Sequence, residues 1–190
     1  MEFYRTFIAL PMEVGPEAFQ LVTTLKKSLE GERISWVDPA RFHLTLRFLG
    51  DTPVERVKVI GERLVKEMHA PRFRIKLDTV GNFGSGRRPR VVWIGMESTA
   101  PLQGLFNQIE RVLIDCGYPP AEQPFRPHLT LGRVRSIKNL LHYQRIMEKF
   151  RDRPLGEVEV DRIVFYRSVL ESRGPVYTPL YQVRLLDGSE

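Results

Sequence analysis

At 190 residues, 42% of them hydrophobic, the chain has the size of one domain and apolar content for a sizeable core, which disfavours an assembly of small modules. Its net charge of +6, with 22 of the 29 basic residues arginine, points to an anionic partner, because arginine's planar fork suits phosphate. A lone Cys116 excludes an internal disulfide framework and a cysteine-rich zinc cluster, no run approaches the roughly 18 apolar residues of a membrane span, and residues 1–14 lack the basic start and small-residue cleavage site of a signal peptide, so a cytoplasmic protein is expected.

Phe3 to Leu10 reads as a first strand ending at Pro11. Gly15-Pro16 opens a helix in which Phe19, Val22, Leu25 and Leu29 recur at helical spacing, and Gly31 closes it. Ile34 to Val37 is a short strand that turns at Asp38-Pro39 into a further strand, Phe42 to Leu49. Thr52-Pro53-Val54-Glu55 has the order of a capping threonine, a proline at the first helical position and a glutamate three residues after the cap, and Val57, Ile60, Leu64 and Met68 form the apolar face of the helix that follows. His69 falls at the last turn of that helix, where a cation suits the helix dipole.

Phe73 to Val80 and Arg90 to Met96 are predicted strands. Gly81 to Pro89 between them reads as a flexible hairpin loop, with a basic flap touching an RNA backbone as the alternative; a nucleotide cradle is disfavoured because no lysine followed by Ser or Thr is present. Ala100-Pro101 begins a helix carrying Leu102, Leu105, Ile109, Val112 and Cys116 on one face, and Gly117 ends it. A strand from Phe125 to Val134 follows, then a helix marked by Leu140, Tyr143, Met147 and Phe150, in which His142 is a surface or helix-packing residue. Strands around Val158 to Val169 and Val176 to Leu186, separated by Glu171–Pro175, complete the chain. The mixture predicts an α+β fold of mostly antiparallel sheets covered by helices, a single domain over 1–190.

Two of the strands carry the same tetrapeptide, His43-Leu44-Thr45-Leu46 and His128-Leu129-Thr130-Leu131, 85 positions apart in a chain of 190. Successive strand residues face opposite ways, so His43 and Thr45 share one face and Leu44 and Leu46 the other, and the second copy repeats the arrangement. A solvated face has no reason to repeat its residue types at half the chain length, so the two strands are expected to meet around one cleft. Imidazole titrates near neutral pH: one histidine can take a proton from water while its twin, protonated, gives one to a leaving oxygen. Threonine hydroxyls beside them can donate to phosphate oxygens where negative charge grows. Paired His and Thr suit metal-free phosphodiester chemistry.

The twin motifs, the Trp36-Val37-Asp38-Pro39 lead-in with Arg41-Phe42 and Arg47-Phe48-Leu49-Gly50 around the first, Phe125-Arg126-Pro127 and Gly132-Arg133 around the second, Arg5 to Leu10, and Arg88 to Gly95 together resemble the 2H phosphoesterase superfamily. Within it they are similar to the RNA 2′,3′-cyclic phosphodiesterases, also called 2′-5′ RNA ligases. The resemblance implies two pseudo-symmetric lobes, each a mostly antiparallel sheet with helices on its outer face, with both motif strands lining a central cleft. It implies hydrolysis of an RNA 2′,3′-cyclic phosphate end to a 2′-phosphate with no cofactor or metal, His128 as the base that activates water, His43 as the acid, and Thr45 and Thr130 holding phosphate oxygens. Arg133 matches a family arginine near the substrate. Its odd offset from His128 points it to the leucine face unless Gly132 makes a bulge, whereas Arg47 has the matching parity. A monomer is expected.

Three alternatives remain on the residues alone. The same histidines run in reverse would ligate RNA through a 2′-phosphodiester. A non-catalytic module that binds RNA ends would use the basic surface and stacking rings such as Phe7 or Phe83. Metal-dependent hydrolysis is disfavoured, since two histidines without a carboxylate at ligand spacing fall short of the usual three ligands of a catalytic zinc.

Overall fold

A computed structural model of the chain describes residues 2–172 and 174–187; Arg173, within the expected Glu171–Pro175 turn, lies outside them. The elements run β1 (Phe3–Pro11), α1 (Pro16–Ser28), β2 (Arg33–Trp36), β3 (His43–Pro53), α2 (Val54–Glu67), β4 (Phe73–Ser85), β5 (Arg88–Met96), α3 (Ala100–Asp115), β6 (His128–Ser136), α4 (Leu140–Phe150), β7 (Glu157–Val160), β8 (Arg162–Glu171) and β9 (Gly174–Arg184). Their spatial order is β9-β8-β1-β3 continuing into β6-β5-β4-β7, with β2 paired to β6. Every named strand pairing is antiparallel. The two motif strands lie side by side at the centre of this order, and at the β3–β6 junction the register holds a single pair, Leu44 opposite Leu129. A lobe of four strands and a lobe of five, counting β2, therefore meet at the first leucines of the twin motifs.

Helices cover the outside of the curved sheet. Helix α2 packs on β1, β3 and β9 and against α3, while α4 packs on β4 and against α1. The apolar stripes are those of 3.6-residue periodicity: Val57, Ile60 and Leu64 on α2, and Leu102, Leu105, Ile109 and Val112 on α3, are all at most 5% exposed. On α1 the stripe runs through Ala18, Leu21, Val22, Leu25 and Leu29, and Phe19, expected on it, is 53% exposed. Thr99 caps α3 by accepting from the Leu102 N–H, and Asn139 caps α4 by accepting from the His142 N–H.

Four sequence expectations change. Thr52 is not the cap of α2: β3 continues to Pro53 opposite Phe3, and the fully buried Thr52 hydroxyl is 2.8 Å from that of Thr6 and receives the Tyr118 hydroxyl. Gly81–Pro89 is not a long loop, because β4 and β5 form one hairpin whose ladder reaches Ser85 and Arg88. The strand expected over Val158–Val169 breaks at Asp161 into β7, on β4, and β8, on β1, so the chain crosses between lobes there. As a result β8 and β9, from the second half of the sequence, complete the lobe begun by the first half. His69 falls just beyond α2, which ends at Glu67.

Candidate active site

The strand period places the motif residues as expected. Leu44, Leu46, Leu129 and Leu131 are at most 5% exposed, under the helices, while His43, Thr45, His128 and Thr130 are half-buried on the opposite, concave face. Each imidazole is held in the same way. His43 Nδ1 lies 2.8 Å from the Arg41 carbonyl and His128 Nδ1 lies 2.7 Å from the Arg126 carbonyl. A carbonyl can only accept, so Nδ1 carries the hydrogen and the neutral ring keeps its lone pair on Nε2. Two carbonyls, each two residues before its histidine, thus set both tautomers identically, a detail without a residue-type signature.

The surroundings of the two rings differ. His43 is flanked by Phe7, with ring centroids 5.2 Å apart, and by Tyr177 in a T-shaped contact at 5.3 Å; Phe7 in turn stacks on Tyr166 at 5.1 Å. His128 makes a T-shaped contact with Phe83, with ring centroids 4.8 Å apart. Burial among the rings pushes the His43 pKa below its usual value; its hydrogen bond to the Arg41 carbonyl opposes the shift, and the charge of His128 adds to it. Burial likewise raises the pKa of the Tyr166 hydroxyl.

For His43 the sign for stability is that of a depressed group: the unfolded ring binds a proton more readily than the folded one. The associated stability is fully present above the unfolded value near 6.5 and is lost as pH falls through the lower folded value. Between about pH 7.5 and about pH 5, the urea midpoint of the native protein is therefore expected to fall further than that of a His43→Gln variant, as chemical denaturation followed by circular dichroism would measure. Equal falls would contradict this origin.

A bulge decides the arginines. Opposite β1, Ala9 pairs with Thr45 but Ile8 pairs with Arg47, skipping Leu46; opposite β5, Trp93 pairs with Thr130 but Val92 pairs with Gly132, skipping Leu131. Both motif strands bulge at their second leucine, and the alternation reverses beyond it. Arg133, opposite Val91, thereby joins Thr130 and Trp93 on the concave face and is exposed. Its counterpart in the first motif strand is Phe48, opposite Phe7 and 64% exposed.

Arg47 is turned the other way, toward α3. Its guanidinium pairs with Glu110 at 3.2 Å and donates to the Pro119 carbonyl at 2.6 Å, while Glu110 also accepts from the Ala121 N–H. Parity counted from His43 therefore fails for Arg47, which instead ties the loop leading into β6 to the other lobe. Arg47→Ala would leave the 13%-exposed Glu110 carboxylate without its cation. The expected loss is about 2 kcal/mol of folding stability, read from the denaturant midpoint, with catalytic constants at low denaturant little changed.

The remaining histidines are elsewhere. His142 points its Nε2 at the Ser28 carbonyl, 2.9 Å away, and joins α4 to α1. His69 is exposed. Among the described residues, no three His, Cys, Asp or Glu side chains gather closely enough to hold a metal ion, and no helix is long and apolar enough to cross a membrane.

A concave sheet face built twice, with one histidine and one threonine from each lobe, describes a class of phosphoesterase, and comparison with known proteins bears on it directly. The sequence model of the LigT-like phosphoesterases matches the chain twice, over residues 8–93 and 94–177. The chain belongs to this family of the 2H phosphoesterases and is a hydrolase. A protein of Aeropyrum pernix named RNA 2′,3′-cyclic phosphodiesterase is 37% identical over 155 residues, covering 81% of this chain and 88% of the relative. A Thermotoga maritima protein of the same name is 34% identical over 187 residues, 97% of each chain. Among solved structures, TT0787 of Thermus thermophilus superposes with a TM-score of 0.74 at 26% identity, covering 97% of this chain and all of that one. Escherichia coli LigT complexed with 3′-AMP gives 0.73 at 27% identity, covering 97% and 99%. The α+β architecture of two repeated lobes is that of these neighbours.

Proposed function

We propose that this phosphoesterase opens RNA 2′,3′-cyclic phosphate ends to 2′-phosphomonoesters by paired-histidine acid–base catalysis without a metal. The observation that carries the reading is the duplicated His/Thr pair with duplicated Nδ1 tethers, which presents two Nε2 atoms of like tautomer to one concave face. The names of the Aeropyrum and Thermotoga relatives support the substrate.

In this mechanism His128 Nε2 takes a proton from water as its oxygen attacks phosphorus, the bond from phosphorus to O3′ breaks, and His43 Nε2–H protonates the departing O3′. The roles follow the family resemblance. Burial that lowers the His43 pKa makes its imidazolium a stronger acid than a solvated one and leaves a smaller fraction of it protonated at neutral pH. Thr45 and Thr130 donate to the non-bridging oxygens, and Arg133, brought to the same face by its bulge, adds positive charge beside Thr130.

The test is incubation of the purified protein, in a chelator, with an oligonucleotide ending in a 2′,3′-cyclic phosphate. A 2′-phosphate product is expected. A 3′-phosphate, or activity abolished by the chelator, would overturn the mechanism; joined oligonucleotides without hydrolysis would replace it by ligation.

A further inference from the structure

The flanks of the concave face are built for different purposes. Beside His43, Phe7 is 2% exposed and locked against Tyr166 and Tyr177, so these rings form a closed wall and Phe7 is no stacking platform. Beside His128, Phe83 stands perpendicular to the imidazole and leans on Trp93, with centroids 5.3 Å apart.

Trp93 lies on the same face as Thr130, its cross-strand partner, and reaches over the next strand. A Cβ on Gly81, which pairs with Trp93 from the other side, would fall 2.4 Å from Cη2 and 2.5 Å from Cζ2 of the indole. Its six-membered ring therefore lies over a position that has no side chain, extended toward the outer edge of β4.

That edge is open. Strand β7 pairs with β4 only from Phe73 to Lys76, and farther along Val80 N–H donates to the Arg151 carbonyl at 2.9 Å. A cavity of about 260 Å³ lies here, lined by Gly81, Asn82, Trp93, Met147 and Arg151 among others. Trp93 Nε1–H is buried with no partner among the described residues. A flat aromatic platform with an arginine at the rim is a seat for a heteroaromatic ring.

Resting on the phosphodiesterase reading above, we propose that this cavity holds the nucleobase of the nucleotide whose cyclic phosphate lies between the histidines. The base stacks on Trp93, with Arg151 at the rim of the cavity. The RNA end thus approaches from the His128 flank.

The test compares a nucleoside 2′,3′-cyclic monophosphate with a base-free substrate, glycerol 1,2-cyclic phosphate. Trp93→Ala is expected to raise KM for the nucleoside substrate about 10- to 100-fold, leaving its kcat and all constants for the glycerol substrate near native, and Trp93→Tyr should restore most of the loss. Equal losses on both substrates, or no loss on either, would overturn the proposal. Equilibrium binding of a nucleoside 2′-monophosphate against inorganic phosphate gives a readout independent of turnover. The native protein should prefer the nucleotide and Trp93→Ala should not; a preference that survives in the variant, or is absent from the native protein, overturns the seat. A native protein that turns over neither substrate yet shows this Trp93-dependent preference would refute the phosphodiesterase reading and leave the nucleobase seat standing.

Discussion

Alanine at His43 or at His128 is expected to lower kcat on a 2′,3′-cyclic phosphate by about 10²- to 10⁴-fold. One ring would accept a proton and the other deliver one in the same displacement, so removing either leaves the step without half of its proton transfer. The double variant should be only slightly slower than the worse single one, because the two act as a unit. Both rings are half-buried at the concave surface, where truncation leaves the leucine face intact, so the denaturant midpoints should move far less than the rates. The decisive measurement is single-turnover hydrolysis with product identification. Loss confined to one histidine would mean that the pseudo-symmetry of position is not a symmetry of function.

Valine at Thr45 or Thr130 keeps the branched shape and strand preference while deleting the hydroxyl, and is expected to reduce kcat by about 10²- to 10³-fold. A donor aimed at a phosphate oxygen matters most when charge accumulates on it, so KM should change less than kcat. Steady-state kinetics of the two variants would check this. A rise in KM alone, with kcat retained, would demote the threonines from stabilising the transition state to holding the ground state.

The cleft is legible in the sequence because period two is a hard rule of strands and because the motif occurs twice. Local geometry alone places His43, Thr45, His128 and Thr130 on one face, and Leu44, Leu46, Leu129 and Leu131 under helices. The helix stripes of α2 and α3 are readable for the same reason, since each depends on residues within a few turns.

Past the second leucine of each motif the local rule gives the wrong answer. A bulge is created by the partner strand's register, and it exchanges Arg47, which serves an ion pair with Glu110, for Arg133 on the concave face. Gly81 reads as loop in isolation; only the Trp93 indole lying over it shows why a strand lacks a side chain there. Thr52 reads as a helix cap, but a buried hydroxyl with Thr6 and Tyr118 at hand is better satisfied within the sheet. The crossing at Asp161, which returns β8 and β9 to the first lobe and brings Tyr166 and Tyr177 into the wall around His43, has no local marker either. Periodicity, repeated motifs and charge are properties of neighbouring residues and can be read along the chain. Register, bulges and the burial that separates His43 from His128 arise between residues far apart in it, and only the folded sheet brings those partners together.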